Sequence, residues 1–249
     1  MHTLVSASIQ YALMPSDQPL STSQTTIELP GRGPRATELY EYLRSEILSG
    51  GFAPNDRIVE QAIAKRSAMS RTPVREALKR LEMDGLVKSE GRGLIVVSHT
   101  NEELAELCVA REGLEAFTAR LAAASASGLE LETLRGLLEL SRAATVDEDV
   151  DRLVELNHSF HETIWQSARN RYLARQLGLL RGLIERRQPT TLIEPLRREQ
   201  ALKEHEAILL ALESRNGDEA EAACRTHFRR AMAARLLVLA SRGSSTDAG

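Results

Sequence analysis

The chain contains six histidines, at positions 2, 99, 158, 161, 205 and 227, and three of them fall where polar groups are costly. His161 flanks the apolar stripe Leu153, Leu156, Phe160 and Ile164, with Asn157 one turn earlier on the same side. His205 sits within Leu202, Ile208, Leu209 and Leu212, and His227 within Ala223, Ala231 and Ala234. An imidazole facing a helical core needs a partner, because an unpaired buried polar group is destabilising. For a single histidine, a hydrogen bond within the core is the commoner solution. Three histidines from three helices can instead share a divalent ion, with Asn157 adding an oxygen. Spacing alone leaves both solutions open. Arg111 poses a similar question, since it falls on a helix whose expected inner face is Leu104, Leu107, Leu114 and Leu121. A buried arginine must be paired. Its partner is either Glu115 (or another carboxylate) or the carboxylate of a small organic acid that also reaches the metal.

A second kind of chemistry lies upstream. Residues 65–80 carry Lys65, Arg66, Arg71, Arg75, Lys79 and Arg80 against Glu76 alone, a local charge of +5 in sixteen residues. If this stretch is helical, Val74, Leu78 and Leu81 form one face, and Arg71, Arg75 and Lys79 form the opposite one at i, i+4 and i+8. A helix lying in a DNA major groove needs this division, with one face fixed to its domain and the other offering forked donors to guanine O6 and N7. Ser70 and Thr72, at the positive helix end, suit phosphate. Arg92, between Gly91 and Gly93, suits an adjacent groove or backbone. A merely solvated basic face is the plain alternative.

The elements that must position these groups can be read from periodicity. Residues 1–34 are rich in Ser, Thr, Gln, Gly and Pro and read as a flexible tail. Leu39, Tyr40, Leu43, Ile47 and Leu48 mark a helix ended by Gly50-Gly51. Pro54-Asn55-Asp56 is a turn, and a short helix follows with Ile58, Val59, Ala62 and Ile63. The next helix starts at Ser70 as N-cap, with Pro73 in its first turn, and Gly85 stops it. Leu86–Ser89 and Leu94–Ser98 read as strands of a hairpin turned by Glu90-Gly91-Arg92-Gly93. Three helices and a hairpin make a winged helix-turn-helix over 35–100, with its helix-turn-helix at about 60–82. From 101 to 241 only helices are expected, near 101–126, 130–144, 148–168, 171–187, 192–214 and 218–241. Thr100/Glu103 and Asp218/Glu221 read as capping pairs. Residues 242–249 read as a disordered end. The fold class is therefore mainly α, a winged helix-turn-helix followed by an all-helical bundle.

Composition agrees with that class. Apolar residues make up 42% of the 249 and charged residues 27%, enough for a core, while aromatics at 4% argue against a β-sandwich. The net charge of −3 hides an asymmetry: residues 35–100 carry +2 and residues 101–249 carry −4. No uncharged run is long enough to span a bilayer, and the start lacks the basic region of a secretory signal. Two cysteines, Cys108 and Cys224, give no disulfide framework. A cytoplasmic protein with no membrane partner is expected.

The stretch Tyr40–Val97, with "LRSEILSGGFAPNDRI", "SRTPVREALKRLEMDGLV" and "GRGLIVV", closely resembles the DNA-binding domain of GntR-family transcription regulators. That resemblance implies operator contacts from Ser70, Arg71, Thr72 and Arg75, with Gly91 in the wing. Three positions depart from the family pattern. Gln61 replaces a common arginine, Ala68-Met69 replaces Gly-Val, and Pro54-Asn55 replaces Pro-Gly. Residues 101–240 resemble the FCD effector domain of the FadR-type subgroup. This implies metal ligands at Asn157, His161, His205 and His227, the ion being zinc, nickel or manganese. Asn157 in place of aspartate removes a negative charge and implies weaker binding. The expected function is a homodimeric DNA-binding regulator, read as a repressor, of a pseudo-palindromic double-stranded operator. A small carboxylate effector at Arg111 would modulate its affinity. Two alternatives are a metal-dependent hydrolase, with Glu162 or Glu115 as base, and a regulator whose metal is purely structural.

Overall fold

The computed structural model describes residues 27, 29, 35–91, 93–187 and 190–243. Chain contacts divide it into two units at Ser98/His99. Most of the expected tail, 1–34, lies outside the described residues, as do Arg92 and residues 244–249. Ile27 is described, and it is buried, its amide donating to the Arg66 carbonyl at 2.9 Å.

The first unit runs α1 (Arg35–Ser49), β1 (Arg57–Ile58), α2 (Glu60–Ser67), α3 (Arg71–Met83), β2 (Val87–Glu90) and β3 (Gly93–Val96). α1 and α3 pack together, burying Leu39, Tyr40, Leu43 and Ile47 from one and Val74, Ala77, Leu78 and Leu81 from the other. The strands form an antiparallel sheet in the order β1-β3-β2, with Glu90 opposite Gly93 and Ile58 opposite Leu94. The hairpin is tighter than expected from sequence. β2 ends at Glu90 and β3 starts at Gly93, and Gly91 takes φ +58°, which a tight hairpin turn favours and a side chain disfavours. β1, only two residues long, is too short to leave a period-two pattern.

The turn between α2 and α3 passes through Ala68 at φ 52° and ψ 34°. This is the left-handed region, which costs a non-glycine residue roughly 1–2 kcal/mol. Ala68→Gly is therefore expected to stabilise this unit by about 0.5–1 kcal/mol once the extra freedom of the unfolded glycine is counted. The urea midpoint of the variant checks this; an unchanged or lower midpoint contradicts it.

The second unit is α4 (Asn101–Ser125), α5 (Gly128–Val146), α6 (Val150–Ser167), α7 (Arg171–Arg187), a 3-10 turn (Thr191–Ile193), α8 (Pro195–Glu213) and α9 (Gly217–Gly243). Thr100 and Glu103 close a capping box on α4, and Ser127 with Glu130 closes one on α5 that the sequence reading did not identify. The expected Asp218/Glu221 cap does not form. Asn216 accepts from the Glu219 amide at 3.1 Å and caps α9, while Asp218 and Glu221 both bind Arg120. α8 also starts later than expected, because Pro195 has no amide to donate and occupies the first turn.

α4 packs most extensively on α9. Its buried row is Ala116, Ala119, Ala122 and Ala123, with Arg111 and Glu115, rather than the large residues Leu107, Leu114 and Leu121, which are half-buried. Small side chains let the two helices approach closely and set the large core residues on neighbouring helices. Leu134, Leu138, Phe160, Ile164, Ile208 and Leu212 complete that cluster.

Candidate functional site

The helix α3 has the two faces the sequence predicts. Arg71, Thr72, Arg75 and Lys79 are exposed on it, opposite the buried Val74, Leu78 and Leu81. Ser70 occupies the N-cap with extended backbone but its side chain makes no cap hydrogen bond. Arg75 donates from Nε to Glu60 at 2.8 Å, which ties the recognition-type helix to the start of α2 and orients the guanidinium. The basic cluster is smaller than its formal charge. Arg80 turns inward, its guanidinium 4.0 Å from the Tyr40 ring centroid and bonded to Thr37 at 3.1 Å. Gly91 is exposed at the tip of the wing, and Arg92 lies outside the described residues.

In the second unit, His161 of α6, His205 of α8 and His227 of α9 converge. All three are buried, their ring centroids lie 4.7–5.1 Å apart, and each offers a nitrogen within 4.8 Å of the others. Phe160 stacks on His205 at 4.4 Å, and Phe228 lies against His161 and His227. Burial, and then the charge of neighbouring histidines, hold His161 and His205 well below the ordinary imidazole pKa. Burial lowers His227 too, although Glu204 partly opposes it. All three are therefore neutral at pH 7, the form that ligates a metal.

Two orphaned nitrogens, His161 Nδ1 and His205 Nε2, have no hydrogen-bond partner. His227 Nδ1 meets Glu204 at 2.8 Å, which leaves its Nε2 as the acceptor. Burial alone would raise the Glu204 carboxyl, but hydrogen bonds from His227 and Arg197 outweigh it and hold it low. Three neutral acceptors with a carboxylate behind one of them fit a divalent ion.

His161 and His227 border a cavity of about 300 Å³, whose wall also includes Asn157, Arg111 and His158. Arg111 is buried and donates from Nε to Glu115 at 3.1 Å while lying over the Phe228 ring, so it is both paired and part of the wall. His158 lies on the wall too, at 3.1 Å from Glu185. The sequence reading missed Glu204, Arg197, Glu185 and Arg235. Arg235 alone left a signal, since His227, Ala231 and Arg235 repeat at i, i+4 and i+8.

In the metal-free protein the three lowered imidazole pKa values have a consequence for stability. The unfolded chain takes up protons at these sites below about pH 6.5, whereas the folded chain resists them. Stability is thus present above about pH 6.5 and falls as the pH drops, by up to about 1.4 kcal/mol per unit for each histidine. Urea midpoints with chelator at about pH 7.5 and 5.5 measure this. Equal midpoints contradict it.

The hydrolase reading fails on its bases. Glu162 is exposed and paired with Arg181, and Glu115 is held by Arg111 and by Trp165 Nε1 at 2.6 Å. Neither is available beside the histidines.

A winged helix presenting an arginine-bearing helix, together with a helical bundle, defines a two-part DNA-binding regulator. Comparison with known proteins agrees. Residues 35–97 match the family described as bacterial regulatory proteins, gntR family, and residues 106–230 match the FCD domain. The HTH-type transcriptional regulator YdhC of Bacillus subtilis (strain 168) is 32% identical over 197 residues, covering 78% of this chain and 88% of its own. The HTH-type transcriptional repressor RspR of Escherichia coli (strain K12) is 27% identical over 192 residues, covering 77% and 84%. The solved structure of E. coli McbR/YncC shares the fold at a TM-score of 0.65 and 20% identity, covering 83% of this chain and 99% of that one. The chain belongs to the GntR family of bacterial transcription regulators, with an FCD domain after its helix-turn-helix domain. It is a DNA-binding regulator and not an enzyme. Among the described residues no helix is long and apolar enough to cross a membrane.

Proposed function

We propose that this protein is a homodimeric repressor whose operator affinity is set by a small organic acid bound with a divalent metal in its FCD domain. Two copies of α3 enter successive major grooves of a pseudo-palindrome. Arg71 and Arg75 read base edges, Ser70 and Thr72 hold phosphate, Lys79 follows the backbone, and Gly91 and Arg92 form the wing contact. Asn157, His161, His205 and His227 hold zinc, nickel or manganese, and Arg111 takes the effector carboxylate. The metal supplies positive charge that a carboxylate oxygen can meet; Glu204 fixes the His227 ring. Repression is taken from RspR, which is named a repressor.

One observation carries the reading: three buried neutral imidazoles converge, two with orphaned nitrogens, and His161 and His227 among them border a cavity that also holds Arg111. The effector acts if it binds two dimer states unequally. Operator binding by the metal-loaded protein, titrated with a panel of carboxylic acids, tests this. The expected result is a change of about 5- to 150-fold with an active acid, lost on chelation. If metal raises the melting temperature but no acid moves melting or operator affinity, the ion is structural and the sensor reading fails.

A further inference from the structure

Three guanidiniums line the cavity, and they are not equivalent. Arg111 is paired with Glu115 at 3.1 Å, and Arg197 with Glu204 at 2.8 Å. Arg235, on α9 two turns beyond His227, has no carboxylate at ion-pair distance among the described residues, and its Nη1 is fully buried without a partner. The groups that act on it electrostatically are Arg111 and Cys108 from α4 and Glu185 from α7. None of them forms an ion pair with it. Arg111 is a like charge, burial raises the Cys108 thiol and keeps it protonated, and Glu185 is already engaged by His158. A guanidinium cannot shed its proton, so the half-buried side chain keeps a cation whose buried Nη1 has no partner. Such a group is expected only where an anion completes it.

We infer that the cavity takes a dicarboxylate, one carboxylate meeting Arg111 and the histidine cluster and the second meeting Arg235. The inference rests on the carboxylate-sensor reading above and adds the second charge. The cavity, at about 300 Å³, has the volume of a small-molecule site at its lower limit. Arg235 is then the residue that separates diacids from monoacids.

Calorimetric titration of the full-length zinc-loaded protein tests this with succinate, glutarate and adipate, each against its own monoamide. The monoamide keeps the length and loses only the second charge. At one length at least, the diacid is expected to bind about 10- to 150-fold more tightly, the worth of one charge-assisted hydrogen-bonded contact. Arg235→Gln is expected to abolish that preference and leave monoamide affinity unchanged. Without ligand, the same variant is expected to melt above wild type, because it removes a cation whose buried Nη1 has no partner. Equal binding of diacid and monoamide at every length overturns the second-charge inference and leaves the carboxylate reading intact. Equal weakening of both by Arg235→Gln, or a lower melting temperature, also overturns it. Binding of neither acid at any length defeats the carboxylate reading, and this inference with it.

Discussion

The double variant Arg71→Ala/Arg75→Ala is expected to lose specific operator affinity by about 30- to 10⁴-fold, from about 1–3 kcal/mol for each guanidinium–base contact. The two side chains stand one turn apart on the exposed face of α3, and the apolar face beneath them is buried against α1, α2 and β2. Their loss should not disturb packing. Arg75 spends Nε on Glu60, so its η nitrogens form the edge that can meet a base. That ion pair is largely exposed and adds little stability by itself. Its contribution is to restrict the rotamers of Arg75 before DNA arrives. Lys79→Ala should weaken all sequences alike and reduce the salt dependence of binding by about one counterion. Anisotropy titrations on a promoter fragment and on unrelated DNA separate these effects. If the double variant retained full preference for its operator, the assignment of α3 as the reading element would fail.

The second large effect concerns the histidine cluster. At metal concentrations about 1,000 times the dissociation constant, binding to the folded state alone stabilises it by about 4 kcal/mol. For a unit of this size that corresponds to a rise of roughly 8–16 °C in melting temperature. The expected result is a rise of that order when zinc is added to chelated wild-type protein, and none for His205→Ala. His205 is the informative position, because its Nε2 is orphaned and its ring is fixed by stacking on Phe160. Glu204→Gln provides a finer measurement. It keeps a hydrogen-bond acceptor beside His227 Nδ1 but removes the charge, so affinity should fall about 10- to 100-fold without being lost. Equal melting temperatures with and without metal in wild type would argue that the three imidazoles form a polar core only.

Much of the DNA-binding unit was legible from residues. Local signals fix it: the i, i+4, i+8 spacing of Arg71, Arg75 and Lys79, the glycine that the wing turn demands, and the "SRTPVREAL" core. β1 and the inward turn of Arg80 left no such signal, since one is two residues long and the other depends on where Tyr40 lies across the core. In the bundle, the three histidines stood out because an imidazole on an apolar stripe is anomalous. Their polar surroundings did not. Glu204 precedes His205 by one residue and reads as an ordinary exposed acid, yet it is buried against His227 and Arg197. The α9 cap was misread for a similar reason, because Asn216 and Asp218 are both competent caps and only the position of Arg120 draws Asp218 and Glu221 away.

Sequence periodicity alone determined which faces are apolar, where helices start and stop, and that arginines and histidines occupy places of consequence, because those properties repeat within a few residues of chain. Tertiary structure alone decided which of these groups are buried together. Arg111 and Arg197 find carboxylates on their own helices, Glu115 at i+4 and Glu204 at i+7, but only the packing of α8 on α9 buries Glu204 against His227, and only the packing of α4, α7 and α9 sets Arg235 on the cavity wall. Burial depends on contacts between residues far apart in the chain, a distance that no local pattern encodes.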